Sequence, residues 1–170
     1  MKYISVLTLA LALGALAPAM PPVPRPAGEF HYFDVAGKGT ALSAFRGKVV
    51  LIQFLDTTCP HCQAMSRMLT KLQTEYGPKG FQAVGVAFNE ATAEMVRGYV
   101  AKNQVGIPVG FASRDAVLGY LGLSVMERLS VPQVVMIDRR GQIRAQSDPH
   151  GTRELQDETY LRARIAELLK

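Results

Sequence analysis

The chain has 170 residues, of which 48% are hydrophobic and 19% are charged, and its formal net charge is +5. This length suits one domain with appendages, and the hydrophobic fraction is sufficient for a buried core. The positive charges are scattered, and no basic run is interleaved with aromatic residues. The sequence therefore argues against a nucleic-acid-binding protein.

The N-terminal residues 1–19 have the pattern of a secretory signal peptide. Lys2 supplies a positive charge, residues 4–16 form an apolar stretch, and Ala17-Pro18-Ala19 matches a small-x-small cleavage site. The stretch is short for a membrane span, which needs about 20 residues. We expect a cleaved signal peptide, with an uncleaved anchor as the alternative, and an exported protein in the periplasm or another extracytoplasmic space. Residues 20–28 are rich in proline, so we expect an extended, disordered linker.

Residues 29–170 are predicted to form one α/β domain in which strands alternate with helices. Apolar runs rich in β-branched residues predict strands, and apolar residues at three- and four-residue spacing predict helices. A turn at residues 139–141 requires an antiparallel hairpin, so the sheet should be mixed. The predicted strands are 30–35, 48–55, 81–88, 134–138 and 142–145, with an extended segment at 106–111; the predicted helices are 60–76, 92–103, 115–121 and 154–169, with a short helical turn at 41–45.

Cys59 and Cys62, the only cysteines of the chain, lie where a predicted strand ends and a predicted helix begins. If Cys59 takes the N-cap position, Pro60 occupies the first helical position, where its missing N–H costs nothing. A Cys59 thiolate could then accept hydrogen bonds from the free N–H groups of the first turn. We therefore predict that Cys59 is an exposed nucleophile and that Cys62 is a sheltered resolving thiol.

A Cys-x-x-Cys pair can also be a structural disulfide or half of a metal site. A disulfide closing so short a loop would add roughly 2 kcal/mol, which is low for a structural cross-link. A zinc site would need further ligands, and the chain has no second cysteine pair. The other candidate ligands are His31, His61 and His150. Placement at a strand-to-helix junction favours the redox interpretation over both alternatives.

Four segments resemble the TlpA/ResA-like thiol–disulfide oxidoreductases. They are Leu42 to Leu51, Cys59-Pro60-His61-Cys62, Val131-Pro132 and Ile137 to Gly141. The resemblance implies a thioredoxin-like three-layer fold, with a central mixed β-sheet flanked by helices. It also implies that Pro132 is a cis proline facing the cysteine pair and that the Val131 backbone pairs with the substrate chain.

The same resemblance implies that no cofactor is needed, because the electrons reside in the sulfur pair. The expected partners are protein thiols and disulfides, with a membrane redox protein as a candidate for recycling the pair, and we expect a monomer. The non-enzymatic alternative is a thioredoxin-fold module that binds copper or another metal through Cys59, Cys62 and a distant histidine. Such relatives usually separate the two cysteines by three residues, whereas here the separation is two.

The chain departs from the family pattern at two positions. Thr58 stands where members usually carry a tryptophan, and Gln53 stands where thioredoxins have a buried acid. A neutral glutamine cannot act as a base for the second cysteine. The resemblance to ResA-like proteins suggests Glu90 as a replacement carboxylate, with Asp56 as a second candidate; the alternative for Glu90 is an ordinary surface glutamate.

The direction of the reaction is left open by the sequence. The scaffold resembles reductases, whereas Pro60-His61 is the dipeptide of DsbA-like oxidases. A protonated His61 would place a positive charge close to the Cys59 thiolate and so stabilise the reduced form, which makes the disulfide a stronger oxidant. The alternative for His61 is a solvent-exposed spacer. A peroxidase is disfavoured, because Asp56 replaces the threonine expected three residues before a peroxidatic cysteine.

Overall fold

Strands and helices alternate along residues 20–170, which are the residues that the computed structural model describes; the predicted signal segment, residues 1–19, lies outside them. Helices α1 to α4 span Pro60–Tyr76, Ala93–Asn103, Arg114–Leu121 and Glu158–Leu168. Strands β1 to β8 span Arg25–Pro26, His31–Phe33, Gly39–Ala41, Val49–Leu55, Phe81–Ala87, Val109–Phe111, Gln133–Ile137 and Gln142–Gln146. Within this range, none of the helices is both long enough and apolar enough to cross a membrane.

Strand β4 lies near the middle of a sheet whose strand order is β1-β8-β7-β4-β5-β6-β2-β3. It pairs in parallel with β5 and antiparallel with β7. Every residue of β4 is buried, as expected for a central strand that is covered on both faces. The predicted α/β structure with a mixed sheet is confirmed.

The two faces of the sheet carry separate hydrophobic layers. Leu51 of β4 packs with Leu69 of α1 and Leu161 of α4 on one face. Ile52, the next residue along β4, belongs to the other layer, which includes Leu121 of α3. The alternation follows from the two-residue period of a strand, and it makes α1 an integral part of the core.

The segments that carry the predicted site lie together where the central strands β4 and β7 meet end to start. Because β4 and β7 are antiparallel, the end of β4 lies beside the start of β7, and Phe54 pairs with Gln133. Cys59 follows β4, and Val131-Pro132 directly precedes β7. The sheet therefore brings together two segments that are more than seventy residues apart in the chain.

The prediction of a disordered linker at residues 20–28 differs from the structure. Arg25 pairs with Ile143 of β8 and so places β1 at the edge of the sheet, and the Arg25 guanidinium donates a hydrogen bond of 2.6 Å to the Gln146 side chain. The Ala27 N–H donates to the Gly141 carbonyl at 2.9 Å. An edge strand offers unpaired backbone groups, and a proline is tolerated in such a position. The segment is therefore an additional strand of the sheet.

The C-terminal helix begins later than predicted. Its N-cap is Asp157, whose carboxylate accepts a hydrogen bond of 2.8 Å from the Tyr160 N–H. Residues 154–156, which were expected to belong to the helix, form a separate 3₁₀ turn. The acidic N-cap therefore fixes the start of α4, since a side-chain acceptor satisfies one of the free N–H groups of the first turn. The other predicted elements are observed with ends that shift by a few residues.

Candidate active site

Cys59 is the N-cap residue of α1, and Pro60 occupies the first turn, as the sequence predicts. The backbone of Cys59 is extended, with φ −76° and ψ 118°, which turns its side chain back toward the helix end. The Cys62 N–H donates a hydrogen bond of 3.3 Å to the Cys59 sulfur. The Cys59 sulfur therefore accepts a free helical N–H at the positive end of the helix dipole.

The loop between β4 and Cys59 is held by two polar side chains. The Asp56 carboxylate accepts hydrogen bonds of 2.7 Å from both the N–H and the hydroxyl of Thr58. Asn89, which follows β5, exchanges hydrogen bonds with the N–H and the hydroxyl of Thr57. These contacts fix the loop before the helix begins, so the position of the Cys59 sulfur is set by two neighbouring strand ends.

The two sulfurs have different environments, although both are unbonded in this structure. Cys59 is partly exposed, whereas Cys62 is completely buried. Burial raises the pKa of the Cys62 thiol well above its usual value, and a hydrogen bond with Cys59 adds to the rise, while a hydrogen bond with the Asp56 backbone opposes it. Cys62 is therefore a thiol at neutral pH, while Cys59 is the sulfur that a substrate can reach.

The wall opposite the cysteine pair is the Val131-Pro132 segment. The peptide bond between these residues is cis, as the resemblance implies, and Pro132 is buried. The Cys59 sulfur lies 3.8 Å from the Val131 carbonyl oxygen, which is the distance of a weak S–H hydrogen bond. Gln133 anchors the segment, because its side-chain amide donates to the Ser130 carbonyl at 2.7 Å and to the Asp148 carbonyl at 3.0 Å.

Gln53 lies beneath the first turn of α1 and is completely buried. Its amide nitrogen donates a hydrogen bond of 2.9 Å to the Cys62 carbonyl, and its amide oxygen accepts one of 2.8 Å from the Ser66 hydroxyl. The Ser66 hydroxyl also lies 2.7 Å from the Tyr99 hydroxyl of α2. Burial raises the pKa of Tyr99 to about 12. The three side chains therefore form a neutral network that ties α1, β4 and α2 together beside Cys62.

The sequence patterns do not single out Ser66 and Tyr99. Tyr99 is predicted only as part of the apolar face of α2, and Ser66 has no predicted role. The available signal is the helical spacing, because Ser66 lies one turn after Cys62 on the buried side of α1. A buried hydroxyl at that position needs a partner, and the buried Gln53 side chain is the nearest candidate along the central strand.

The remaining predicted site residues lie around the pair at different distances from its chemistry. His61 is exposed in the first turn of α1. Glu90 is exposed in the loop after β5, at a left-handed φ of 54°, and its side chain makes no hydrogen bond with any residue in the range 20–170. The Asp56 carboxylate is engaged by Thr58 in the loop before Cys59, and its role as a replacement carboxylate for Cys62 stays a prediction. The roles of His61 and Glu90 stay predictions.

Metal binding was the alternative that the two cysteines left open. Across the described residues 20–170, no group of three or more His, Cys, Asp or Glu side chains is arranged to hold a metal ion.

Similar proteins were found by sequence and by structure. A Xenopus laevis protein named "Probable glutathione peroxidase 8-A" is 31% identical over 100 residues, but the match spans only 48% of that protein's length and 54% of this chain. The thiol-disulfide oxidoreductase ResA of Bacillus thuringiensis is 25% identical over 138 residues, which cover 81% of this chain and 76% of ResA. This chain therefore spans about half the length of the first of these relatives.

A solved structure of a thiol:disulfide interchange protein of the thioredoxin family from Chlorobium tepidum superposes with a TM-score of 0.68. It is 24% identical, and the superposition covers 88% of this chain and 99% of that one. The thioredoxin-like fold and the TlpA/ResA-like resemblance predicted from the sequence are thereby confirmed. Since the Redoxin family model matches residues 20–163, this chain belongs to the Redoxin family.

Proposed function

We propose that the protein is an exported thiol–disulfide oxidoreductase that exchanges a Cys59–Cys62 disulfide or dithiol with protein substrates. The observation that carries this proposal is the asymmetry of the two sulfurs. Cys59 is accessible and accepts a helical N–H, while Cys62 is buried one turn away and protonated at neutral pH. Thiol exchange needs this division between an attacking and a resolving sulfur.

In the reducing direction, the Cys59 thiolate attacks one sulfur of a substrate disulfide. The substrate S–S bond breaks, and the first substrate sulfur leaves as a thiolate that takes up a proton. The Cys62 thiol then loses its proton and attacks the Cys59 sulfur, which releases the second substrate sulfur and closes the Cys59–Cys62 disulfide. Two electrons pass from the protein to the substrate, and the reverse sequence oxidises a dithiol. In both directions the backbone of Val131, beside Pro132, would pair with the extended substrate chain.

The nucleophile assignment is tested by trapping the intermediate. Replacing Cys62→Ala removes the resolving thiol, so mixed disulfides should accumulate at Cys59 and should be visible on non-reducing gels. The matched variant Cys59→Ala should trap nothing, because the buried Cys62 cannot reach a substrate. Trapping by Cys59→Ala, or by neither variant, would contradict the assignment. Mass spectrometry of the trapped species would identify the substrates.

The direction is tested by the reduction potential. Equilibration of the purified protein with glutathione buffers, followed by alkylation of free thiols, gives the ratio of reduced to oxidised protein. A value near that of thioredoxin, about −270 mV, would identify a reductase; a value near that of DsbA, about −120 mV, would identify an oxidant. His61→Ala measures the effect of the histidine, and an unchanged potential would make it a spacer.

The similarity to a protein named a probable glutathione peroxidase supports a second candidate function, which is peroxide reduction. The Cys59 thiolate would take one oxygen from a peroxide to form a sulfenic acid and release an alcohol or water. The Cys62 thiol would then displace water from that sulfenic acid and form the disulfide. The rate at which hydrogen peroxide oxidises the reduced protein, followed by alkylation of the remaining thiols at set times, tests this candidate. Oxidation no faster than that of free cysteine would reject it.

Export rests on the sequence pattern of residues 1–19. Fractionation of cells that express the full chain, combined with N-terminal sequencing of the recovered protein, tests it directly. A new N-terminus near Met20 in the extracytoplasmic fraction would support a cleaved signal peptide. An intact Met1 in the membrane fraction would instead support an anchor, and recovery from the cytoplasm would contradict export.

A further inference from the structure

A groove of about 360 Å³ opens beside the active-site loop that precedes Cys59. Thr57 and Thr58 of the active-site loop form one wall together with Gln63 of α1, and α2 forms the other. Thr58, which lines the groove, directly precedes Cys59 in the chain, so a substrate chain bound at the Cys59 sulfur can extend into this groove. A larger cavity of about 480 Å³ lies at the opposite end of the sheet, where the β7–β8 hairpin turns, and has no contact with the cysteines.

The wall formed by α2 combines an apolar end with a positively charged end. Met95, Gly98 and Lys102 follow one another at three- and four-residue spacing, so they share one face of the helix. Met95 is 39% exposed, although its spacing predicts a core position. Gly98 leaves the middle of the wall open, because a Cβ built there meets no atom within 4 Å. Lys102 is exposed at the far end.

The α2 end of the groove is positive, whereas the Asp56 carboxylate lies behind the opposite wall, where it accepts hydrogen bonds from Thr58. Lys102 is the charged residue among the described residues that line it, and no carboxylate is part of the lining. Arg67 of α1 adds a second positive charge at the same end, since its guanidinium donates a hydrogen bond of 3.0 Å to Asn103, which also lines the groove. The floor is formed by the buried Tyr99 of the polar network.

We propose that this groove binds the part of a polypeptide substrate that flanks the attacked cysteine, and that it selects a segment with an apolar side chain and a carboxylate. The carboxylate would lie against Lys102, and the apolar side chain would pack on the flexible Met95. The proposal rests on the proposed thiol exchange and adds to it a substrate class.

The first test fills the groove. Gly98→Leu places a side chain in the open middle of the wall, in a helical position that accepts a Cβ without a clash. The matched control is Gly119→Leu in α3, another exposed helical glycine whose Cβ would meet no atom within 4 Å. Both variants should fold, and Gly119→Leu should exchange disulfides as the parent does.

The probe is a short peptide with one cysteine, supplied as its symmetrical disulfide, in which an apolar residue precedes the cysteine and Glu, Gln or Lys follows it. Single-turnover oxidation of the reduced protein by excess peptide gives a maximum rate and a half-saturating concentration. Alkylation of the remaining thiols reports the reaction, because the chain has no tryptophan. Bis(2-hydroxyethyl) disulfide, which is small and neutral, serves as the reference substrate.

For the Glu peptide, Gly98→Leu should raise the half-saturating concentration about tenfold, relative to the reference disulfide. Lys102→Glu should lower the preference for the Glu over the Lys peptide by about three- to tenfold, as expected for an exposed ion pair, and salt should reduce the effect. The control Lys71→Glu changes an exposed lysine of α1 that does not line the groove. It makes the same change in net charge and should leave the preference unchanged.

The outcomes separate this inference from the proposed function. Equal half-saturating concentrations for Gly98→Leu and Gly119→Leu would refute binding of the substrate in the groove. An unchanged preference for the Glu over the Lys peptide in Lys102→Glu would refute it too. Neither result would affect the proposed disulfide exchange. Failure of the parent protein to react with both the peptides and the small disulfide would overturn the proposed function and the groove together. A shift that is specific to Gly98→Leu and Lys102→Glu supports the groove.

Discussion

Gln53→Glu tests whether the residue beneath the cysteine pair is held in a fully buried, neutral network. Gln53 is 0% exposed and has one donor and one acceptor hydrogen bond, at 2.9 Å to the Cys62 carbonyl and at 2.8 Å from the Ser66 hydroxyl. A protonated glutamic acid has the same shape and can make both hydrogen bonds. An ionised carboxylate cannot, because it has no proton to donate to the Cys62 carbonyl.

The magnitude follows from the burial of this position. A fully buried glutamic acid can have a pKa of about 8, against about 4.3 in the unfolded chain. Because the folded state then holds its proton to higher pH, its stability falls between these two values by about 1.4 kcal/mol per pH unit. The variant should therefore resemble the parent near pH 4 and lose about 5 kcal/mol of unfolding free energy by pH 8, which is the whole stability of many domains.

Urea unfolding, measured at several values of pH for the parent and the variant, gives this difference directly. Gln104→Glu is the matched control, because Gln104 is exposed after the end of α2 and its carboxylate should ionise normally. A destabilisation by Gln53→Glu that is the same at pH 4.5 and at pH 8 would refute a buried site at residue 53. So would a variant that is as stable as the parent throughout.

Three further predictions concern the stability of the fold. Burial opposes ionisation of Asp138, but hairpin N–H groups and Arg144 outweigh it and hold its pKa below the usual value. The free energy of unfolding should therefore fall as the pH drops through that lowered pKa. In Asp138→Asn, urea unfolding at several values of pH should show a smaller loss of stability in acid. Asp56→Ala should cost about 1 kcal/mol in thermal unfolding, because the N–H of Thr58 loses its acceptor, whereas Asp56→Asn retains it; equal losses would contradict this role. Gly110→Ala should cost about 1–3 kcal/mol in urea unfolding, because its Cβ would clash with the backbone of β2, and a neutral effect would contradict the close approach of β2 and β6.

The fold and the cysteine pair follow from local patterns in the sequence. The strand-to-helix junction, the N-cap at Cys59 and Pro60 in the first turn depend on neighbouring residues, so periodicity and capping rules predict them. The cis bond before Pro132 is not predicted by the neighbouring residues and followed from a resemblance to a family instead. Both kinds of prediction agree with the structure.

The features that the sequence does not predict depend on tertiary pairing. The pairing of Arg25 with β8 becomes visible only when the hairpin presents a free edge, since proline-rich composition alone indicates a linker. The exposure of Met95 has the same origin: helical spacing places it on the apolar face, but the face is wider than the surface it covers. The part of this apolar face that stays exposed, at Met95, lines the groove near Cys59.

The neutral network also bears on the direction of the reaction. Cys62 stays protonated at neutral pH, so a negative charge in the reduced pair can reside only on Cys59. A buried carboxylate under the helix would repel that charge strongly, because electrostatic interactions are weakly screened in the interior, and Gln53 supplies none. A protonated His61 would act in the same sense through a more screened interaction, and this role stays a prediction. The neutral Gln53 therefore spares the reduced form this repulsion, and we expect a more oxidising potential than in a thioredoxin with a buried acid, which equilibration of the parent protein with glutathione buffers measures.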